Sequence, residues 1–111
     1  MTDVALERIA ARRTLIEQRL AEVESRLTDV RVARREWTDE EHDPEGFALT
    51  FEWQQAEGAS TAHHAELTEL DAAAARVSAG TYGVCTVCGG HVPDAQLELR
   101  PARLTWVACA R

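Results

Sequence analysis

Three cysteines near the end of the chain have the residue type and spacing that most clearly indicate chemistry. Residues 85–109 read CTVCGGHVPDAQLELRPARLTWVAC and begin with a Cys-x-x-Cys pair, Cys85 and Cys88. Thiolates are soft, charged and compact, and two such pairs place four sulfur atoms tetrahedrally at ~2.3 Å from a zinc ion. Cys109 has no thiol partner, because Trp106 stands three residues before it. The length of a C-x2-C-x17-C-x2-C zinc site is therefore intact, with tryptophan at its third corner.

A Cys-x-x-Cys pair also occurs in thiol redox sites, usually within a βαβ pattern that is absent around Cys85 and Cys88. Redox chemistry at these two thiols stays an alternative. The odd total of three cysteines fits a reducing compartment better than a disulfide framework. The sequence also lacks an apolar run of about 18 residues and the apolar core of a signal peptide. We therefore expect a cytoplasmic protein that does not engage a membrane.

Acidic residues form the second candidate functional group, with five acids among residues 39–45. The charge along the chain is uneven: residues 1–37 carry eight Arg and seven acids, residues 38–80 carry one Arg and ten acids, and residues 81–111 carry three Arg and two acids. An acidic middle third repels phosphate backbones, so we expect no direct binding to nucleic acid. The acidic cluster does not have the spacing of an EF-hand. Without further information, it is either a solvated turn or a functional tip.

Two heptad patterns indicate the helices that position these groups. Residues 3–37 contain no Gly or Pro and predict one long helix, and a second helical pattern runs from about Phe47 to Ala79. Between them, Pro44 and Gly46 are predicted to break the helix. The seams are apolar at eight of ten positions in the first pattern (6, 9, 13, 16, 20, 23, 27, 30, 34 and 37) and at seven of nine in the second (49, 53, 56, 60, 63, 67, 70, 74 and 77).

Two helices of similar length joined by a short connection are expected to lie antiparallel. A register that pairs Leu20 with Leu70 brings the two seams together, and Gly80 is a suitable C-cap for the second helix. The predicted fold class is mainly α: a long antiparallel coiled-coil hairpin with a small C-terminal zinc-finger-like module. We expect the hairpin over residues 1–80, with its acidic tip at 38–48, and the module over residues 81–111.

Residues 80–109, GTYGVCTVCGGHVPDAQLELRPARLTWVAC, resemble the C-terminal zinc-finger segment of the DksA/TraR family of bacterial transcription factors. The shared features are Gly-Thr-Tyr-Gly before Cys-x-x-Cys-Gly, then Val-Pro, Leu-Glu and Arg-Pro, and the x17 spacing. The predicted hairpin also fits that family, and its turn EHDPEGFA looks like the actinobacterial form of the family's tip. The resemblance spans nearly the whole chain.

The resemblance implies a regulator that binds RNA polymerase directly, without contacting DNA, and that is not an enzyme. In the family, the hairpin enters the secondary channel of the polymerase, acidic tip residues approach the active centre, and the alarmone ppGpp often acts jointly. The family tip pattern Asp-x-x-Asp-x-Ala falls on Asp43, Gly46 and Ala48. Gly46 replaces the second acid of the pattern, and the neighbouring Glu45 is a partial substitute.

The resemblance also implies that Cys85, Cys88 and Cys109 are Zn²⁺ ligands, with Trp106 in place of the family's third cysteine. A water molecule or His91, three residues past Cys88, is the candidate fourth ligand. The alternative is a module without metal, folded by the packing of Trp106, Tyr82 and Leu104. For function, the alternative is a structural or protein-interaction hairpin that dimerises through its coiled coil and has lost regulatory activity.

Overall fold

A computed structural model describes residues 2–36 and 44–109, without the side chains of residues 2, 34, 36 and 44–49. It contains three α-helices: α1 (Thr2–Glu36), α2 (Pro44–Ala79) and the short α3 (Asp94–Leu99). A 3-10 turn, Val107–Cys109, follows. Within the described ranges, β pairing is limited to one antiparallel bridge between Val84 and His91. No helix in this part of the chain is both long and apolar enough to cross a lipid bilayer.

Among the side chains that the structure describes, the two predicted seams lie on the buried faces of α1 and α2, apart from one position; seam positions 34, 37 and 49 lie outside the described side chains. Along α1, Leu6 at the start of the predicted seam is 40% exposed, while its neighbour Ala5 is buried. Along α2, every predicted seam position from 53 to 77 is at least partly buried. The buried seam residues are Ile9, Ile16, Leu20, Val30, Ala56 and Leu70. The predicted fold class, a mainly α antiparallel hairpin followed by a small cysteine module, is confirmed.

Contacts divide the chain into two compact units, one formed by Met1–Leu15 with Glu66–Arg111 and the other by Ile16–Ala65. In the second unit, the Glu24 carboxylate lies 3.8 Å from the His64 imidazole. Further along α1, the Arg31 guanidinium lies 5.5 Å from the ring centroid of Trp53, within the range of a cation–π contact. From the first pair to the second, the residue number increases along α1 and decreases along α2. The two helical segments of this unit are therefore antiparallel.

In the first unit, α1 and α2 are joined by an apolar cluster and by ion pairs at its edge. Ile9 packs with Leu70 and Ala73. Arg12 donates two hydrogen bonds to the Glu66 carboxylate, at 2.6 and 2.9 Å. These bonds raise the pKa of Arg12, which therefore stays charged beside its partner. Since Arg12 follows Ile9 while Glu66 precedes Leu70, the helical segments are antiparallel here too.

The predicted register and the predicted start of α2 were wrong. Leu70 packs in the Ile9 cluster, whereas the seam register paired it with Leu20, about three helical turns away along α1. The sequence predicts Pro44 and Gly46 in the turn, but α2 begins at Pro44 and continues through Gly46. Proline is well suited to the first helical position, because its fixed φ is helical and the N–H that it lacks would have no intrahelical partner there. The length of the connection between two antiparallel helices helps to set their register. The start of α2 at Pro44 therefore affects which residues of α1 and α2 pair.

The end of α2 follows the predicted C-cap. Gly80 has a φ of +77°, in the left-handed region that glycine adopts without steric cost. Its N–H donates to the Val77 carbonyl at 3.2 Å, and the Thr81 N–H donates to the Arg76 carbonyl at 2.9 Å. This pair of bonds is a Schellman motif, which satisfies the last carbonyls of a helix. Gly80 therefore ends the hairpin and turns the chain into the cysteine module.

Gly58 inside α2 and Gly80, which caps it, give opposite predictions for the same substitution. Gly58 lies inside the helix, its φ is not positive, and a Cβ built there meets nothing within 4 Å. We expect Gly58→Ala to raise the free energy of unfolding by about 1 kcal/mol, since alanine is the better helix former. Gly80→Ala should lower it by a similar amount, because alanine disfavours a positive φ. Urea denaturation followed by circular dichroism measures both, and shifts of equal sign would contradict this reading of α2.

Candidate metal centre

A tight turn brings Cys85 and Cys88 together. The Cys85 N–H donates to the Gly90 carbonyl at 2.7 Å, and the Gly89 N–H donates to the Cys85 carbonyl at 2.9 Å. Gly89 has a φ of +74°, which glycine tolerates best. The Gly90 N–H also lies 3.4 Å from the Cys88 sulfur and points a donor at it. The Cys-x-x-Cys-Gly-Gly sequence thus folds into a knuckle whose backbone supports the thiols.

The third cysteine lies on the 3-10 turn Val107–Cys109, which hydrogen bonds hold in place. The Cys109 N–H donates to the Trp106 carbonyl at 2.9 Å. At the start of the turn, the Val107 N–H donates to the Gln96 side-chain carbonyl at 2.8 Å, so α3 anchors the turn. The Thr86 N–H donates to the Leu104 carbonyl at 2.9 Å and ties the knuckle to the segment that leads into the turn.

These two turns place the sulfur atoms of Cys85, Cys88 and Cys109 within 4.8 Å of one another. Around a single zinc ion with bonds of ~2.3 Å, tetrahedral sulfur atoms lie about 3.8 Å apart. The observed triangle therefore needs a contraction of about 1 Å or less to bind one ion with all three sulfurs. Cys85 is buried, Cys109 is partly buried and Cys88 is exposed. The arrangement is compatible with a metal site that solvent reaches from the Cys88 side.

The three thiols do not share one electrostatic environment. Hydrogen bonding with the backbone of Cys88, and more weakly with the backbone of Trp106, lowers the pKa of Cys85 to about 6 in spite of its burial. Burial raises the pKa of Cys109, and hydrogen bonds with the other two cysteine side chains raise it further. At neutral pH, Cys85 is therefore largely a thiolate while Cys109 keeps its proton. A metal ion that binds all three sulfurs must displace at least the Cys109 proton.

The remaining residues predicted at the metal site lie apart from the sulfur triangle or supply no ligand atom. The Trp106 side chain is 36% exposed, and its backbone contributes a hydrogen bond that stabilises the Cys85 thiolate. His91 is exposed, and its Nε2 lies 3.9 Å from an Asp94 carboxylate oxygen. It does not belong to the group formed by the three cysteines. The structure thus brings Cys85, Cys88 and Cys109 together and does not bring His91 to them.

The proposed metal-free packing of the module differs from the contacts found. Leu104 is 48% exposed and Trp106 is 36% exposed, so neither forms an apolar core. The buried core consists of Cys85, Val92 and Leu97, with Tyr82 packed against it. Of the three side chains proposed for this role, Tyr82 therefore contributes most.

The sequence does not predict two hydrogen bonds that hold the cysteine module together. The Tyr82 hydroxyl donates to the carbonyl of the buried Pro101 at 2.8 Å, and the Gln96 amide holds the turn that carries Cys109. Gly-Thr-Tyr-Gly and Arg-Pro were recognised as motifs, but neither indicates that Tyr82 and Pro101 meet. Gln96 is one polar residue on a short helix and gives no sequence signal of its contact with Val107.

A cavity of about 350 Å³ opens beside the module, lined by residues of α2 and of the segment 100–105. Arg76, Arg100 and Arg103 contribute three guanidinium groups to its lining, and Glu66 and Glu69 contribute carboxylates. One nitrogen of Arg76 lies 3.4 Å from the Ala102 carbonyl, which orients this arginine toward the segment. The lining of the cavity therefore includes three basic and two acidic residues.

The predicted tip lies partly outside the described residues. Asp43 lies outside the described residues. Glu45, Gly46 and Ala48 belong to the first turns of α2, but their side chains are outside the description. Their proposed role at the active centre of a polymerase stays a prediction.

The fold of this chain is similar to that of a solved transcription factor. The solved structure of transcription factor DksA2 from Pseudomonas aeruginosa is similar to this chain, with a TM-score of 0.52 and 19% sequence identity. The match covers 92% of this chain and 79% of that one. No protein-family model and no curated protein matches the sequence. The resemblance found in the sequence is thus confirmed at the level of the fold.

The protonation states of the thiols predict how metal binding depends on pH. Because the pKa of Cys109 is raised, its proton competes with a metal ion at neutral pH, and the competition weakens as pH rises. We expect the apparent affinity for Zn²⁺ to increase between pH 6 and pH 8, by about tenfold per pH unit for each proton displaced. Competition with a chromogenic chelator, corrected for the chelator's own protonation, measures this. An affinity that is independent of pH would contradict the assigned thiol states.

Proposed function

We propose that this protein is a cytoplasmic transcription regulator that binds RNA polymerase and has no enzymatic activity of its own. The observation that supports this most strongly is the similarity to the fold of transcription factor DksA2 over 92% of the chain. The convergence of Cys85, Cys88 and Cys109 adds to it, since it places a cysteine module after the hairpin, as the family resemblance implies. The proposal thus draws on both halves of the molecule.

The charge of the hairpin supports a protein partner rather than a nucleic acid. Residues 38–80 carry ten acids and one Arg, so this part of the chain repels phosphate backbones. A hairpin that enters the secondary channel of the polymerase would deliver Asp43 and Glu45 close to the active centre. In a site that excludes water, each such charge acts more strongly than at an open surface.

We further propose that the cysteine triangle binds Zn²⁺ in the functional protein. Cys85, Cys88 and Cys109 supply soft thiolate donors, which suit zinc, and their turns are held by backbone hydrogen bonds. The ion would hold together a module that has a short α-helix, one β-bridge and a small buried core. Such a role is structural, because metal binding contributes folding free energy directly to small modules.

We propose that the cavity lined by Arg76, Arg100 and Arg103 is the site at which ppGpp would act. Guanidinium groups bind phosphates with paired hydrogen bonds, and three of them in one cavity match a ligand with several phosphates. Arg100 and Arg103 come from the segment after α3, and Arg76 comes from α2. The alarmone would then bind where the hairpin and the module meet within the first unit.

The ppGpp proposal predicts a selective loss in transcription assays. Arg100→Ala removes one guanidinium from the cavity, so the effect of ppGpp on the regulated promoter should fall several-fold, while binding to polymerase persists. Arg26→Ala, which removes an exposed arginine of α1 outside the cavity, is the matched control and should respond as the parent does. An unchanged ppGpp response in Arg100→Ala would count against this cavity as the ligand site.

The tip mechanism predicts that binding and effect are separable. Asp43→Asn keeps the size of the side chain and removes its charge. This variant should bind RNA polymerase within a few-fold of the parent in a pull-down, yet lose most of its effect on transcription in vitro. Gly46→Asp, which restores the second acid of the family pattern, should strengthen the effect.

Asp39→Asn is the control for general acidity, since it removes a charge from the same acidic stretch of sequence, outside the tip pattern. If Asp43→Asn and Asp39→Asn both act like an active parent, the acidic turn is an ordinary solvated loop. If the parent itself does not bind polymerase and forms dimers, the structural or protein-interaction hairpin is the better account of the chain.

A further inference from the structure

The cysteine triangle lacks a fourth protein ligand among the described residues. Three sulfur atoms converge, and the group contains no other Cys, His, Asp or Glu. Trp106 stands where a fourth thiol would complete the set, but an indole N–H is a hydrogen-bond donor and offers no lone pair to a metal. His91 is directed elsewhere, with its ring against Gly83 and its Nε2 near Asp94.

A zinc ion in this triangle would therefore have an open coordination position. Structural zinc sites are usually closed by four protein ligands, whereas sites that react or exchange ligands keep one position for an outside molecule. Cys88 is exposed, so solvent reaches the ion from that side. Three thiolates and one Zn²⁺ carry a net charge of −1. A neutral donor adds no further negative charge there, and the whole chain already carries −7.

We propose that the metal ion held by Cys85, Cys88 and Cys109 binds an exchangeable external ligand at its fourth position, with a preference for a neutral nitrogen donor of the imidazole type. Imidazole is a common zinc ligand and suits an ion that already has sulfur donors. In the exchange, the imidazole nitrogen forms a bond to the metal and one bound water leaves, with no change in oxidation state. The inference rests on the proposed metal site but not on polymerase binding.

Cobalt(II) makes this position visible, because its visible absorption bands report the number and type of ligands. The full chain, loaded with one equivalent of Co²⁺, is titrated with imidazole. We expect a saturable shift of the visible bands, and X-ray absorption of the zinc form should show three sulfur ligands and one nitrogen or oxygen ligand. Azide, an anionic nitrogen donor, should bind more weakly than imidazole.

Two variants separate the external ligand from a protein ligand. Trp106→Cys should give four sulfur ligands and lose the imidazole response, because the new thiolate then occupies the fourth coordination position. His91→Ala should keep the full response, since His91 lies outside the triangle. If Trp106→Cys does not fold, the parent and His91→Ala still decide between an external donor and His91.

The outcomes also separate this inference from the proposed function. A parent that binds Co²⁺ through three sulfurs but shows no shift with imidazole overturns the inference and leaves the metal site intact. A shift that is absent in the parent and appears in His91→Ala overturns it as well, because His91 would then be the fourth ligand of the parent. Failure to bind Co²⁺ or Zn²⁺ at all overturns both the inference and the metal site. A pull-down with RNA polymerase tests the regulatory function independently of each of these results.

Discussion

Tyr82 is the side chain on which the arrangement of the first unit depends. Its ring packs against the Ile9, Leu70 and Ala73 cluster of the hairpin and also against the Cys85, Val92 and Leu97 core of the module. Burial raises the pKa of its hydroxyl, which therefore stays protonated and donates to the Pro101 carbonyl. One residue thus joins two apolar clusters that are each too small to be a substantial core alone. The Schellman motif at Gly80 determines where this ring enters, since Tyr82 follows it by two residues.

The third corner of the cysteine site shows that a turn can persist without the ligand that it would carry. The 3-10 turn after Trp106 is held by the Cys109 N–H bond to the Trp106 carbonyl and by the Gln96 contact to Val107. Neither bond involves the side chain at position 106. A tryptophan can therefore replace a cysteine there while Cys109 still reaches Cys85 and Cys88. The hydrogen bonds that hold this turn therefore do not depend on the residue type at position 106.

The sequence predicts features that each segment carries by itself, but it does not predict which segments contact one another in the folded chain. The buried faces of the helices and the cap at Gly80 follow from periodicity and from the conformational freedom of glycine, which each segment carries by itself. The pairing of Leu70 was not predictable in this way, because many registers bring apolar seams together equally well. Pro44 was misread because proline both ends helices and begins them. The contact between Gln96 and Val107 depends on the fold of the whole module and leaves no pattern in the sequence.

Gly46 at the tip and Trp106 at the cysteine site both depart from the family pattern by loss of a negatively charged side chain. Each replaces an acidic or thiolate side chain with an uncharged one, while the backbone around it keeps its regular structure: α2 runs through Gly46, and the 3-10 turn follows Trp106. Under the proposed function, the chain would still present its tip and its module in the family's geometry. Its tip would carry one less negative charge, and its metal ion would carry one less thiolate. The differences from relatives should then lie in the strength of the effect and in the exchange of a metal ligand rather than in the mode of binding.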